Sequence, residues 1–399
     1  MPTRTESILA RGAGRKTVCP GEIVDVEIDR AMIHDNNAGL VVKNFNAIAT
    51  PSVWAPERVV LVVDHHSPST TVKAVAHHKS MREFARKHGI RRFFDCGNGI
   101  SHIVMLESGL AGDGDIVVGT DSHTTGEGAL GAFATGIGAT EMAAALVTGR
   151  IWFQVPETAK IVLDGNCPAD VDARDIMNEV LARFGPDGAN YMAVEFHGSA
   201  AEAMSTEERI MVCVLAMEMG AKNALFVSRE DADARYARTE VFDVSAMRPT
   251  VAVPNLPTNA RPLAEIERER VPVNQAFIGA CTGGLLRDLE TAARVLAGKT
   301  IAPGVRLLII PASRTIYAEA LARGYLQTLH QAGAIIGSPA CGGCGGHDAG
   351  ILAEGEVCIA NSPRNMDGRM GRGGVVYLAA TAAVAASAAN GFICAREDG

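Results

Sequence analysis

The chain has 399 residues, a formal net charge of −8, 47% hydrophobic and 21% charged residues. At about 150 residues per domain this is enough for two or three domains, and the balance of apolar and charged residues excludes a disordered chain. The apolar stretches fall short of the roughly 18–20 residues of a membrane span. MPTRTESILARG lacks the apolar core of a signal peptide, and no Lys/Arg run forms a nucleic-acid footprint. A soluble, cytoplasmic protein with no membrane or nucleic-acid partner is expected.

Short Val/Ile-rich runs alternate with alanine-rich helical stretches. Strands are predicted over IVDVEI (23–28), RVVLVVD (58–64), RRFFDC (91–96), DIVVGT (115–120), AKIVLDG (159–165) and ALFVS (224–228). NQAFIGAC (274–281), RLLIIPA (306–312) and GAIIGS (333–338) complete the set. Several are apolar without alternation, as in strands buried on both faces of a parallel sheet. Helices are predicted over TTVKAVAHHKSMREFARKHG, ATEMAAALVTGR, LRDLETAARVLAG and TIYAEALARGYLQTLHQAG, the last two ending in Gly. The alternation reads as α/β layers. The proline-rich segment from Ser245 to Val273 is the best linker candidate, and a softer boundary lies at Val155–Pro156.

Four groups of reactive residues stand just past apolar strands: Asp64-His65-His66, Asp121-Ser122-His123, Cys281-Thr282 and Cys341-Gly-Gly-Cys344. Open α/β sheets bind ligands at that edge. Nine cysteines are too sparse for a disulfide scaffold. The CxxC in SPACGGCGGHD alone could be a zinc half-site or a redox dithiol, although the helix-opening context of a redox dithiol is missing. Cys281 could add a third thiolate, and three thiolates suit zinc or an iron–sulfur cluster with one iron lacking a protein ligand. Cys19, Cys96, Cys167, Cys213, Cys358 and Cys394 read as packing.

Seven of eleven histidines fall between residues 64 and 123. His77, His78 and His88 lie on a predicted helix and are expected to face solvent. His65, His102 and His123 sit in strand-end or glycine-rich loops, where a nearby carboxylate such as Asp64 or Asp121 would tune them for acid–base work. Gly126, Gly128 and Gly131 match a dinucleotide fingerprint, but DSHTT separates them from their strand and no acidic residue follows about 20 positions on. Close packing against the His123 loop is the better reading.

Together DHHSP, GNGISH, GTDSHTTGEGALGAFATGIGATEMA, FIGACT, ACGGCGG and SPRNMDGRMG resemble the aconitase superfamily, in particular its 3-isopropylmalate dehydratase large subunits, over almost the whole chain. The resemblance implies three-layer α/β/α domains, here placed at 1–155 with the histidine loops, 156–262 with Glu195, and 263–399 with the cysteines and arginines. It implies a [4Fe–4S] cluster on Cys281, Cys341 and Cys344, with one iron open to substrate. Asp64 with His65 would protonate the leaving hydroxyl, His102–Asp121 and His123–Glu195 would be orienting dyads, and Ser122, Arg364 and Arg369 would bind substrate carboxylates. It further implies that the swivelling domain of single-chain aconitases, which carries the proton-abstracting serine, resides on a separate small subunit. The expected reaction is reversible hydration and dehydration, or isomerisation, of a hydroxy-dicarboxylate such as 3-isopropylmalate. A side-branch dehydratase of the methylmalate, homoaconitate or maleate type is the alternative, ahead of a zinc hydrolase or a non-catalytic relative. Three departures from the family pattern point toward that alternative: Gly283 replaces Asn after Cys-Thr, Pro363 replaces the first Asn of NRN, and HDNNAG (34–39) lacks the usual threonine.

Overall fold

The computed structural model describes residues 1–48, 52–227, 234–346 and 349–395. Ser228, at the end of one expected strand, and His347 and Asp348 of the CGGCGGHD run lie outside these.

A five-stranded, all-parallel sheet runs in the order Arg92–Phe94, Val59–Val62, Arg30–His34, Ile116–Gly119, Phe133–Gly136. Its strands are apolar on both faces because both are covered. Val59 and Leu61 pack with Phe45, Met81, Phe84 and Leu146 of the overlying helices, whereas Val60 and Val62 pack with Met105 and Leu110 on the opposite side. The run at 23–27 leaves this sheet and pairs antiparallel with Arg150–Gln154; its buried residues alternate, as one-sided burial requires.

A four-stranded parallel sheet follows in the order Asn223–Phe226, Ala193–His197, Thr158–Asp164, Arg238–Asp243. The helices Ala173–Phe184 and Thr206–Ala216 bury Met177, Leu181, Val212 and Leu215 against Ile161, Leu163, Val194 and Phe196.

The remaining sheet has seven strands: Ala260–Pro262, Thr250–Ala252, Val375–Ala379, Val357–Ala360, Gln275–Ile278, Arg306–Ile309 and Ile335–Ile336. The first two join antiparallel and the other five run parallel. The supposed linker therefore is no linker. Thr250–Ala252, Ala260–Pro262 and the helix Leu263–Glu269 extend this sheet, with Val251, Leu263 and Ile266 in its core. Prolines there restrict hydrogen bonding in ways an edge tolerates. The last predicted helix is also two, Arg314–Ala322 and Tyr325–Gln331, broken where Gly324 turns to φ 78°.

Candidate active site

Asp64, Asp121, Cys281 and Cys341 each follow the carboxyl end of a parallel strand, so the sheets aim them at one region. The loops are tied together by backbone: Cys341 N–H donates to Asp64 O at 2.9 Å, and Ile100 N–H to Ala312 O at 2.8 Å.

Asp64 is fully buried, and its Oδ1 lies 2.8 Å from His65 Nδ1 while its Oδ2 accepts from Ser101 N–H at 2.7 Å. The opposite ring nitrogen, His65 Nε2, lies 3.4 Å from Asp121 Oδ2. Burial pulls the His65 pKa down, but the Asp64 and Asp121 carboxylates outweigh it and hold it well above the ordinary value. An imidazolium between two carboxylates is a loaded proton donor.

His102 is set between Asp121 Oδ1 and Glu127 Oε1, each 3.3 Å from a ring nitrogen. Burial opposes its charge, yet Glu127 and Asp121 raise its pKa to about 10. Asp121 also accepts from His123 N–H at 2.7 Å, so it is the shared hinge of three histidines. Burial favours the protonated form of Asp121, but His102 and His65 overcome this and leave it well below the carboxylate range.

His123 does not meet Glu195. Its Nε2 lies 3.1 Å from Glu218 Oε1, and its Nδ1 lies 3.9 Å from Cys281 Sγ. Glu195 is buried elsewhere, accepting from Thr5 N–H at 2.8 Å, Thr5 Oγ1 at 3.0 Å and Tyr236 OH at 3.1 Å. A buried acceptor must find donors, and the N-terminal helix supplies them; Glu195 there joins that helix to the four-stranded sheet. Glu218 is the carboxylate that pairs with His123 instead. It sits at the end of the helix Thr206–Ala216, just before Gly220 in the left-handed region. An acid is electrostatically unfavourable at a helix C-terminus, and here His123 and Arg364 compensate its charge.

Arg364 Nε donates to Glu218 Oε1 at 2.7 Å and its Nη2 to Ser122 Oγ at 3.1 Å. Burial lowers the His123 pKa, and the Arg364 cation lowers it further, against Glu218. Arg369 instead bonds Cys344. The Cys341 and Cys344 thiols bond each other; that bond and burial raise the Cys341 thiol, with Cys281 adding, and burial raises the Cys281 thiol, with Cys344 adding. Cys344 is held down at about 6 by the bond from Cys341, against burial, with help from Arg369 and Arg364. None of the nine cysteines is in a disulfide, and Cys19, Cys96 and Cys167 are exposed. Three facing thiols, one already thiolate-prone and flanked by arginines, fit a three-thiolate inorganic centre.

His34 and Asp35 close the strand Arg30–His34 in the same strand-end manner and were missed because that strand was not predicted. His34 Nε2 lies 3.0 Å from Thr120 O, and its ring stacks on His65 with centroids 4.4 Å apart. Asp35 accepts from the backbone of His65 and His66, each at 3.0 Å, and lies 3.0 Å from His78 Nε2. His34, Asp35, Asp64 and His65 offer donors close enough for a metal, but these bonds already occupy Asp35, whose work is to hold the DHH turn. The same bond explains why His78 is buried rather than solvent-facing. His88 is buried too, against Phe45 and Phe84, and His77 is half-buried over Gly39.

Gly126 and Gly128 serve packing. A Cβ on Gly128 would meet the Ala224 carbonyl at 1.7 Å, and one on Gly126 would meet Val214 at 2.9 Å. The turn bearing His123 can thus lie directly on the four-stranded sheet. A cavity of about 400 Å³ opens beside Asp121 and Ser122, with Ile137, Tyr191, Met217 and Lys222 among its walls.

The chain matches the model of the aconitase family (aconitate hydratase) over residues 8–230 and 224–391. It is 44% identical to the 3-isopropylmalate dehydratase large subunit 1 of Methanopyrus kandleri, covering 98% of each chain. It is 43% identical to the homoaconitase large subunit of Thermus thermophilus, covering 99% of this chain and 97% of that one. The crystal structure of Thermococcus kodakaraensis aconitase X shares the fold, with a TM-score of 0.55 at 14% identity over 100% of this chain and 97% of that one. Among the described residues no helix is long and apolar enough to cross a membrane.

Proposed function

The chain belongs to the aconitase family and is the large subunit of a hydro-lyase, and we propose that it binds a [4Fe–4S] cluster through Cys281, Cys341 and Cys344 and reversibly dehydrates a hydroxy-dicarboxylate of the 3-isopropylmalate type. The observation that carries this reading is the meeting of those three thiols with the Asp64–His65 and Asp121–His102 pairs and with Arg364 in one region. When bound, the cluster would supply a Lewis acid for the departing hydroxyl.

The chain's own residues supply the rest. Loss of water from a β-hydroxy acid needs a proton delivered to a poor leaving group. His65 is the donor, because its Nδ1 is held by Asp64 and its Nε2 carries the deliverable proton toward Asp121. His102 stays cationic and balances the Asp121 charge. Arg364, braced by Glu218, presents its guanidinium for a substrate carboxylate, and Arg369, bonded to Cys344, adds positive charge beside the thiols. The cavity beside Asp121 and Ser122 leaves room for a side group beyond the reacting carbons.

The near-equal identity to a homoaconitase large subunit supports a second reading, in which the side group bears a further carboxylate. In both, a small subunit closes over the strand-end face and brings the base that removes the carbon-bound proton.

The test is anaerobic reconstitution with iron and sulfide, followed by assay with the small subunit on 3-isopropylmalate and homocitrate. A brown chromophore with hydro-lyase turnover only in the complex is expected. A colourless zinc protein, or full turnover by the isolated chain, would overturn the proposal.

A further inference from the structure

Cys281 sits in a loop whose backbone is unusual. Ala280, immediately before it, has φ 65°, a left-handed conformation that a residue with a Cβ adopts only when its surroundings force it. The forcing contacts come from Asn361, which is 2% exposed. Its Oδ1 accepts from Gly279 N–H at 3.0 Å, and its Nδ2 donates to Gly283 O at 2.9 Å and to Thr381 Oγ1 at 2.8 Å. One amide therefore grips the loop on both sides of Ala280-Cys281-Thr282.

The main chain of Asn361 is gripped in turn. Its carbonyl accepts from Thr282 Oγ1 at 2.8 Å and from the guanidinium of Arg174, which also donates to Thr282 Oγ1 at 3.2 Å and Ser362 O at 2.9 Å. Arg174 is 1% exposed and comes from the helix Ala173–Phe184 of the four-stranded sheet. Ser362 is two residues before Arg364, so the same clamp fixes the strand end that leads to the arginine.

Gly283 completes the arrangement. Its φ lies outside the left-handed region, so glycine is not needed there for backbone freedom. It is needed for space: a Cβ would stand 1.9 Å from Asn361 Oδ1 and 2.0 Å from its Cγ. The Asn361 amide fills the volume that a side chain at 283 would otherwise occupy.

We infer that Asn361 is a positioning residue for Cys281, its amide standing in for a side chain at position 283 and holding the Ala280–Thr282 turn in its left-handed shape. The inference rests on the reading of Cys281 as a ligand only for its purpose; its test needs no cluster. Because Cys281 is 3% exposed, its thiol reports on loop opening. Alkylation of Cys281 by iodoacetamide, followed by peptide mass spectrometry on the full chain, is the readout, with far-UV circular dichroism to check the fold.

Asn361→Ala should speed Cys281 alkylation about tenfold or more, the response expected when a local opening is no longer opposed. Asn361→Asp keeps the volume and the acceptor for Gly279 but loses both donors, and should give a smaller increase. Gly283→Asn alone collides with Asn361 and should also expose Cys281. The double variant Asn361→Ala/Gly283→Asn returns an amide to the vacated space and should restore slow alkylation. Wild-type protection of Cys281 in Asn361→Ala, or in Gly283→Asn, overturns the inference, as does a double variant no better than Asn361→Ala. Loss of the whole fold in both Asn361→Ala and Asn361→Asp overturns it too, since Asn361 would then belong to the general core. If these alkylation results hold while no cluster forms on reconstitution, the ligand reading fails and the positioning role stands.

Discussion

Glu218 and His123 face each other across the candidate active site, with Oε1 of the first 3.1 Å from Nε2 of the second. The same Oε1 accepts from Arg364 Nε at 2.7 Å. Burial pushes the Glu218 pKa up, but the bonds from His123 and the Arg364 charge bring it below the ordinary carboxylate value. One carboxylate thus orients the His123 imidazole and the Arg364 guanidinium together. Glu218→Gln should lower turnover by roughly 10²-fold and raise KM, because a positioned acid–base partner is worth about that much and Arg364 loses its brace. Glu195→Ala should leave turnover near normal but cost about 1–3 kcal/mol of stability, the range for orphaning buried donors. Steady-state kinetics and denaturant unfolding of the two variants separate a residue of the site from one that joins two elements. The reverse pattern would return Glu195 to the site.

His65 is the next test. His65→Asn should keep the fold and any cluster spectrum while lowering turnover by roughly 10²–10⁴-fold, the usual range for one general acid. Asn retains a donor toward Asp64 Oδ1, so the Asp64 side of the pair survives and only the proton toward Asp121 is lost. Near-normal turnover removes His65 from the mechanism.

The sequence made the site largely legible where chemistry coincides with a strand end. Asp64, Asp121, Cys281 and Cys341 each follow an apolar run long enough to read. Glu218 was not legible that way, because it follows a helix, and the acid in AVEFHG looked like a better match beside a strand. Only the tertiary packing of the turn before Gly220 against His123 distinguishes the two. Arg30–His34 was passed over because Arg30 and His34 bracket just three apolar residues, yet it is the central strand of its sheet. The buried His78 and His88 were misread for a different reason. Histidine beside lysines suggests a solvated face, but helical spacing turned those two toward Asp35 and Phe45 instead.

The three-thiol reading has its own test. Cys281→Ser, Cys341→Ser and Cys344→Ser should each abolish the visible absorption of the reconstituted chain or make it short-lived. Substituting the exposed Cys19, Cys96 and Cys167 together should leave it unchanged. Iron and sulfide analysis beside the absorption spectrum reads both results. Retention of a full chromophore in Cys281→Ser would confine the centre to the CxxC pair.

The last prediction concerns stability against pH. Asp288, on the helix Leu286–Leu296, accepts from Thr381 Oγ1 and caps Leu285 N–H at 3.2 Å. Burial raises its pKa from 3.8 to about 7, the Thr381 bond and Arg287 opposing, Asp172 and Glu207 adding. The native chain therefore keeps a proton that the unfolded chain releases between about pH 4 and pH 7. Where the native state binds more protons, stability falls as pH rises, here by at most about 1.4 kcal/mol per pH unit from this one group. His102 continues the decline at higher pH: its pKa of about 10 in the folded chain contributes stability that is complete below about 6.5 and lost as pH climbs through 10. Asp288→Asn cannot ionise. At pH 5 it should be less stable by about 1 kcal/mol, the worth of a lost cap. By pH 8 that deficit should vanish or reverse, because wild type then carries a buried charge and the variant does not. Urea unfolding of both proteins at pH 5, 6.5 and 8 gives the comparison. Parallel curves, with the same difference at all three values, would show that Asp288 is ionised throughout and that its neighbours, above all Arg287, stabilise its charge more than burial opposes it.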